Sequence, residues 1–568
     1  VAQNDFYQYA CGGWMQNNPL PGEYSRFGSF DKLALNNLEQ VNGLITEIAS
    51  AKHPQGTVEQ KIADVYNLSM DTARRNVEGI APVMQTIEQI ETISDKSQLS
   101  AMLGAAMEYG LWAMYVDADA MNSSMNILNE AQAGYALGER EYYLENDEHT
   151  AMIRAEYLKH VERMFSLFGY ENGKQAAETI LRMETRLAKA ALSNVELRDP
   201  IANYNKMSVD ELQTLAPEVD WNTYFAALGI STDSLSVGQV RHLQEACKML
   251  ADESLEDLRC LFIWQVIDGA ANYLTDEIYM ENFHFYGQVL SGRQEPSPLW
   301  KRAVGMVNGT LGEAVGQMYV EKYFPAESKD RMVKLVANLQ AVLGERIKAQ
   351  TWMSEETKKV ALEKLATFYV KVGYPNKWDD YSPLEIDPSK SLYENALAAQ
   401  RFRFDLSKEK HYNKPVNKDE WGMTPQTVNA SYSSTQNSIN FPAAILQPPF
   451  FSMDADDAVN YGGIGVVIGH EMTHGFDDSG RQFDKDGNLH QWWSDADVEA
   501  FKIPAEQLAD FYDKTEPLPG LHTNGHLTLG ENLSDHGGLM IAFNALQKIL
   551  KEKALPVENG FTPEQRFF

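Results

Sequence analysis

Cysteine is nearly absent: Cys11, Cys247 and Cys260 are the three in 568 residues. An odd count with no C-x-x-C spacing excludes a disulfide framework and a cysteine-built zinc cluster, so these residues read as structural thiols. Positive charge is scarce as well. With 49 Lys and Arg against 80 Asp and Glu, the formal net charge is −31, and a field of that sign repels nucleic acid and anionic lipid head groups. No nucleic-acid partner is expected. Long apolar runs are missing too: no stretch reaches the roughly 18 residues that a spanning helix needs, so no transmembrane segment is expected. Val1 opens no basic-then-apolar leader. The abrupt start at D-F-Y-Q-Y-A-C-G-G-W is compatible with a leader that was processed or left out.

What is present suffices for large cores. Hydrophobic residues make up 44% and aromatic residues 11% of the chain, and a single core stops growing near ~250 to 300 residues, so at least two lobes are expected. From about residue 36 to 285 apolar residues recur at three and four, as in Val58 to Ser69, Ile153 to Phe168 and Ala176 to Leu192, which predicts a helical lobe. The Asp199-Pro200 and Ala216-Pro217 steps predict helix boundaries, because the residue before proline is pushed out of the α region. A second helical stretch runs from Trp300 to Val370, with Ser354 as an N-cap. Between Thr427 and Phe451 the β-branched and aromatic residues, followed by prolines, predict a short hairpin and then an irregular loop.

The chemistry begins just beyond that hairpin. Residues 466 to 477 read V-V-I-G-H-E-M-T-H-G-F-D, and on a helix the four-residue spacing sets His470 and His474 on one face, where two imidazoles reach one metal ion. Glu471 projects beside that ion, placed to take a proton from an attacking water. The competing reading is a helix with two satisfied core histidines. Six of the twelve histidines fall between His470 and His536, a clustering that favours a site over a core.

A catalytic zinc uses three protein ligands. The extended pattern H-E-x-x-H-x-x-G-x-x-H would require Gly and His where Asp477 and Gly480 stand, so that class is excluded and the third ligand is expected to be a carboxylate. In G-E-N-L-S-D-H-G-G-L, residues 530 to 539, Glu531 and Asp535 share a helix face: one to bind zinc, the other to accept the second N–H of a ligating histidine. Asp535 is therefore expected to partner His470, with Asp477 another such candidate. Two alternatives stand beside this: Thr528 and Glu531 match a capping box, and Glu499 is a rival third ligand.

Four separated motifs resemble the neprilysin and endothelin-converting-enzyme group of zinc endopeptidases, including its bacterial oligopeptidase members. They are Y-A-C-G-G-W at 9 to 14, V-N-A-S-Y with N-F-P-A-A-I-L-Q-P-P-F-F between 428 and 451, the H-E-x-x-H helix through H-G-F-D-D, and G-E-N-L-S-D-H-G-G-L. The resemblance implies one zinc ion held by His470, His474 and Glu531, a general base at Glu471 and a supporting role for Asp535. It implies further that Asn429 and Ala430 hydrogen-bond the substrate backbone as an added strand. Ile445, Phe450, Val466 and Val467 would line the pocket for the apolar side chain after the cut bond, and Arg26 would receive a substrate carboxylate.

The resemblance also implies a mainly α, two-lobed gluzincin fold with a small hairpin sheet at the cleft. The catalytic lobe is expected from residues 1–35 and 286–568, and a helical cap from 36–285. The expected activity is cleavage of oligopeptides on the amino side of hydrophobic residues, outside the cytoplasm: periplasmic, cell-surface or secreted. Members of the group continue past the position of Phe568 with oxyanion-stabilising residues, so the resemblance implies one of two things: a chain cut at this point, or a separate C-terminal polypeptide as a partner that completes the same fold. The second reading is an incomplete fragment or peptide-binding module.

Overall fold

The protein, described over residues 2–568 by a computed structural model, is mainly helical with two small sheets, in a two-lobed arrangement. Its buried side chains sort into three clusters. The first gathers residues from Val83 to Phe285 together with Tyr393. The second spans Met332 to Phe567. The third joins Val41, Ile45, Ile62 and Val65 to residues between Val304 and Ala444, and Phe324 packs against both the second and the third.

Local signals behave as their chemistry requires. Ser354 accepts from the Thr357 amide at the start of helix Glu355–Ala366. The turn Glu196–Arg198 ends before Pro200, and helix Val209–Leu215 is capped by Ala216 before Pro217. The central region, expected to be helical, also contains a four-stranded sheet of β1 (Trp112–Asp119), β2 (Asn122–Gln132), β3 (Lys206–Ser208) and β4 (Ser234–Val237), in the order β1-β2-β4-β3. In β1, Trp112, Met114, Val116 and Ala118 turn inward while Ala113, Tyr115 and Asp117 stay exposed, a period of two that a search for helical periodicity passes over.

The expected boundary at 35/36 falls inside helix Ser29–Ala49. Val41 and Ile45 of that helix, with Ile62 and Val65 of helix Val58–Met70, pack against helix Leu299–Tyr323 rather than the first core. We propose that the cap lobe begins after Met70 and ends near Leu290.

The second sheet positions the site. Its strands β5 (Tyr369–Gly373), β6 (Ser431–Ser433) and β7 (Ser438–Pro442) are ordered β5-β7-β6, with β6 and β7 forming the hairpin predicted between Thr427 and Phe451. Asn437 closes that hairpin with φ of 48°, a left-handed conformation that asparagine tolerates. β7, buried along its length, is central. β6 pairs only with β7 among the described residues, so its outer edge is open.

Candidate metal centre

Helix Val466–His474 carries the H-E-x-x-H motif and packs along helix Leu529–Glu552. Glycines make the approach possible: a Cβ on Gly469 would lie 2.8 Å from Gly538 Cα, and one on Gly538 would lie 2.6 Å from the His470 amide nitrogen. Backbone therefore meets backbone, and side chains from the two helices converge. His470 Nε2 lies 3.0 Å from His474 Nε2, and Glu531 Oε2 lies 3.2 Å from the first and 3.6 Å from the second.

Those spacings fit zinc. Bonds of 2.0–2.1 Å in tetrahedral geometry put ligand atoms roughly 3.3 Å apart, inside the observed range. Glu471 also brings a carboxylate oxygen within 4.8 Å of both imidazoles, but Glu531 is nearer to each. The capping box is not formed: Thr528 makes no side-chain cap to its helix, which leaves the Glu531 carboxylate to the imidazoles. Glu499 is exposed and pairs with Lys502 at 2.8 Å.

The outer nitrogens are held as firmly as the inner ones. His470 Nδ1 is 2.8 Å from Asp535 Oδ1, and His474 Nδ1 is 2.7 Å from Asp477 Oδ2. A carboxylate only accepts, so Nδ1 carries a hydrogen in both rings, and Nε2 is the nitrogen left to face a metal. Ser534, fully buried, adds a hydroxyl 3.0 Å from His474 Nδ1. Burial opposes charge on His470, but the Asp535 and Glu531 carboxylates outweigh it and push the ring up to about 9. At His474 burial again opposes, and Asp477 and Glu531 push the ring up to about 10. The same contacts with His470 and His474 hold Glu531 well below the usual carboxylate range. For Glu471, 6% exposed, burial raises the carboxyl and the two imidazoles pull it back.

Two supports had no sequence signal. Lys364, fully buried, donates to the carbonyls of Gly475 at 2.6 Å, Gly480 at 2.8 Å and Phe483 at 2.7 Å, pinning the loop that carries Asp477. Arg198 reaches over from the turn Glu196–Arg198, within the chain segment that builds the first core. Its guanidinium donates to Asp478 Oδ1 at 2.9 Å and to the Leu527 carbonyl at 2.7 Å.

A cavity of about 760 Å³ opens over the histidines, with Asn429, Ala430 and Tyr432 on one side and Leu197, Arg198 and Pro200 on another. Asn429 is exposed and Ala430 buried at the start of the open β6 edge. Ile445, Phe450, Val466 and Val467 lie outside this lining: Ile445 is fully buried in the second core and the other three pack against it. Arg26 is exposed and also outside it.

Two sequence profiles, both described as Peptidase family M13, match residues 2–375 and 429–568. The chain belongs to peptidase family M13. Among M13 relatives, human endothelin-converting enzyme 1 is 33% identical over 595 residues, covering 100% of this chain and 76% of that protein. The Mycobacterium tuberculosis zinc metalloprotease Zmp1 in complex with inhibitor superposes with a TM-score of 0.95 at 38% identity, covering 99% of this chain and 87% of that one. The same enzyme in its open state gives 0.77 at 38% identity, covering 99% and 89%. This M13 protein is thus a zinc metalloendopeptidase of the neprilysin-like group, and the family match favours that reading over a binding module. The expected separate C-terminal polypeptide finds no support among the M13 matches. No helix among the described residues is long and apolar enough to cross a membrane.

Proposed function

We propose that this peptidase hydrolyses oligopeptides with one zinc ion bound by His470, His474 and Glu531 and with Glu471 as general base. The observation that carries the reading is the convergence of two imidazole nitrogens and one carboxylate oxygen, from two helices, within 3.6 Å of one another. When bound, zinc supplies a lowered pKa for water and polarisation of the substrate carbonyl.

The chain's own residues do the rest. Asp535 and Asp477 hold the two rings by their Nδ1 hydrogens, at 2.8 and 2.7 Å, and so fix which nitrogen faces the cavity. Glu471, its carboxyl raised by burial, takes a proton from the attacking water and returns it to the leaving amine. Asn429 and Ala430 stand where the open β6 edge meets the cavity, placed to bind an extended substrate main chain by strand addition, a mode tolerant of sequence. Preference for a hydrophobic residue after the cut bond rests on the apolar cluster of Ile445, Phe450, Val466 and Val467, of which Phe450 and the two valines on the metal helix remain partly exposed. Arg26, exposed, is proposed to receive a substrate carboxylate. Family likeness supports a location outside the cytoplasm.

The test pairs two variants on a fluorogenic peptide. Glu471→Gln is expected to keep stoichiometric zinc and lose hydrolysis, whereas Glu531→Ala is expected to lose the metal. Parental turnover by Glu471→Gln ends the mechanism.

A further inference from the structure

A second cavity, of about 630 Å³, shares no lining residue with the one over the histidines. Its walls come from the end of helix Val58–Met70, from helix Thr72–Glu78, from the segment Asn272–Ser297, from helix Leu299–Tyr323 and from helix Leu392–His411, so it lies where the first and third cores meet. Four arginines line it, Arg75, Arg293, Arg302 and Arg403, and not one aspartate or glutamate. In a chain with 80 acidic and 49 basic residues, that lining runs against the composition.

The guanidiniums are also short of partners. No carboxylate among the described residues lies within 4.0 Å of any of the four. Arg75, 6% exposed, donates Nη1 to the carbonyls of Leu68 at 2.7 Å and Ser69 at 2.8 Å, but its buried Nε has no acceptor. Arg302 stacks on Tyr279 at 3.9 Å, and its buried Nε is equally orphaned. Arg293 donates to the Glu23 carbonyl at 2.8 Å and to Ser297 Oγ at 3.0 Å, and Arg403 to the Gly309 carbonyl. Burial lowers Arg75, and the neighbouring charge of Arg302 lowers it further, against weaker opposing pulls from Asp276, Asp71 and Glu78. Two like charges held together in a pocket, each with a buried donor unused, cost free energy unless an anion completes them.

We propose that this cavity is a binding site for a small oxyanion-bearing ligand, of phosphate or carboxylate type, held by Arg75 and Arg302 with Arg403 at the rim. Guanidinium forks match both groups with paired, charge-assisted hydrogen bonds. The anion would tie together segments from two cores, away from the zinc ligands.

The experiment titrates the zinc-loaded protein by calorimetry at fixed ionic strength. Its probes are inorganic phosphate, pyrophosphate and citrate, plus one short peptide as free acid and as C-terminal amide. Saturable one-to-one binding of an inorganic or citrate probe below about 1 mM supports a small-molecule anion, and binding of the peptide acid but not its amide supports a peptide terminus as the source. Arg302→Gln and Arg403→Gln should each weaken binding by about tenfold or more through loss of charge-assisted bonds. Arg302→Gln should also keep its peptidase rate and hold or raise its anion-free Tm, because it removes a repulsion. Absence of saturable binding by every probe, or undiminished affinity in both variants, overturns the proposal.

Discussion

Gly538 sits against the His470 backbone so closely that an added Cβ would meet the His470 amide nitrogen at 2.6 Å and the Val466 carbonyl oxygen at 2.6 Å. The metal centre depends on that gap, because His470 and Glu531 belong to different helices and have only a few tenths of an ångström of tolerance around a 2.0–2.1 Å bond. Gly538→Ala must push the helices apart. Zinc affinity is expected to fall about tenfold or more, read by competition with a chromophoric chelator, while far-ultraviolet circular dichroism stays near that of the parent. Parental affinity would show that the contact relaxes elsewhere.

Asp535 tests the outer hold on a ligand. Its carboxylate fixes the His470 ring from 2.8 Å, and loss of such a partner typically costs 10- to 100-fold in metal affinity or activity. Asp535→Ala should fall in that range, with Asp535→Asn milder because the amide oxygen still accepts. If both variants bind zinc like the parent, His470 is oriented by packing alone.

Arg198 tests whether the cap segment braces the site. One guanidinium holds the Asp478 side chain and the Leu527 carbonyl, and so touches the loop after the metal helix and the entry to the helix of Glu531. Bonds to charged groups are worth about 1.5–3 kcal/mol, which bounds the loss in kcat/KM of Arg198→Ala at roughly 10- to 100-fold. Zinc content should be unchanged. A metal-depleted variant would instead make Arg198 part of the metal scaffold.

Glu184 in the cap core gives a pH signature remote from zinc. Burial pushes this fully buried carboxyl up to about 8, against hydrogen bonds from Tyr143 and Tyr157 that lower it. The folded state therefore keeps a proton that the unfolded chain releases above its ordinary value of 4.5. Stability from this group is complete below that value and is lost as pH rises toward 8, with a slope of at most about 1.4 kcal/mol per pH unit. Glu184→Gln should flatten the decline of urea-derived stability between pH 5 and 8. An identical slope in the variant would refute the assignment.

Much of this was legible in one dimension because the signals are local. The H-E-x-x-H spacing places His470 and His474 on one helical face, Ser354 caps its helix with its own side chain, and the hairpin before the metal helix announces itself by composition. The sheet of β1 to β4 was masked by the helices around it. Arg198 and Lys364 carried no signal at all, because an arginine or lysine reads as surface until its acceptors are known, and those acceptors lie 280 and 111 residues away in the chain.

By itself the sequence determined the chemical kinds at the site: two imidazoles at helical spacing, a glutamate between them and a pair of acids in one later helix. Only the tertiary structure decided which of those acids meets the histidines, for Glu531 could have closed a capping box and Glu499 could have reached inward. The reason is physical. Helix periodicity is set by backbone bonds four residues apart, whereas the distance from Glu531 to His470 is set by how two helices slide past each other, and that is decided by the volume of glycines whose role shows only once the helices touch.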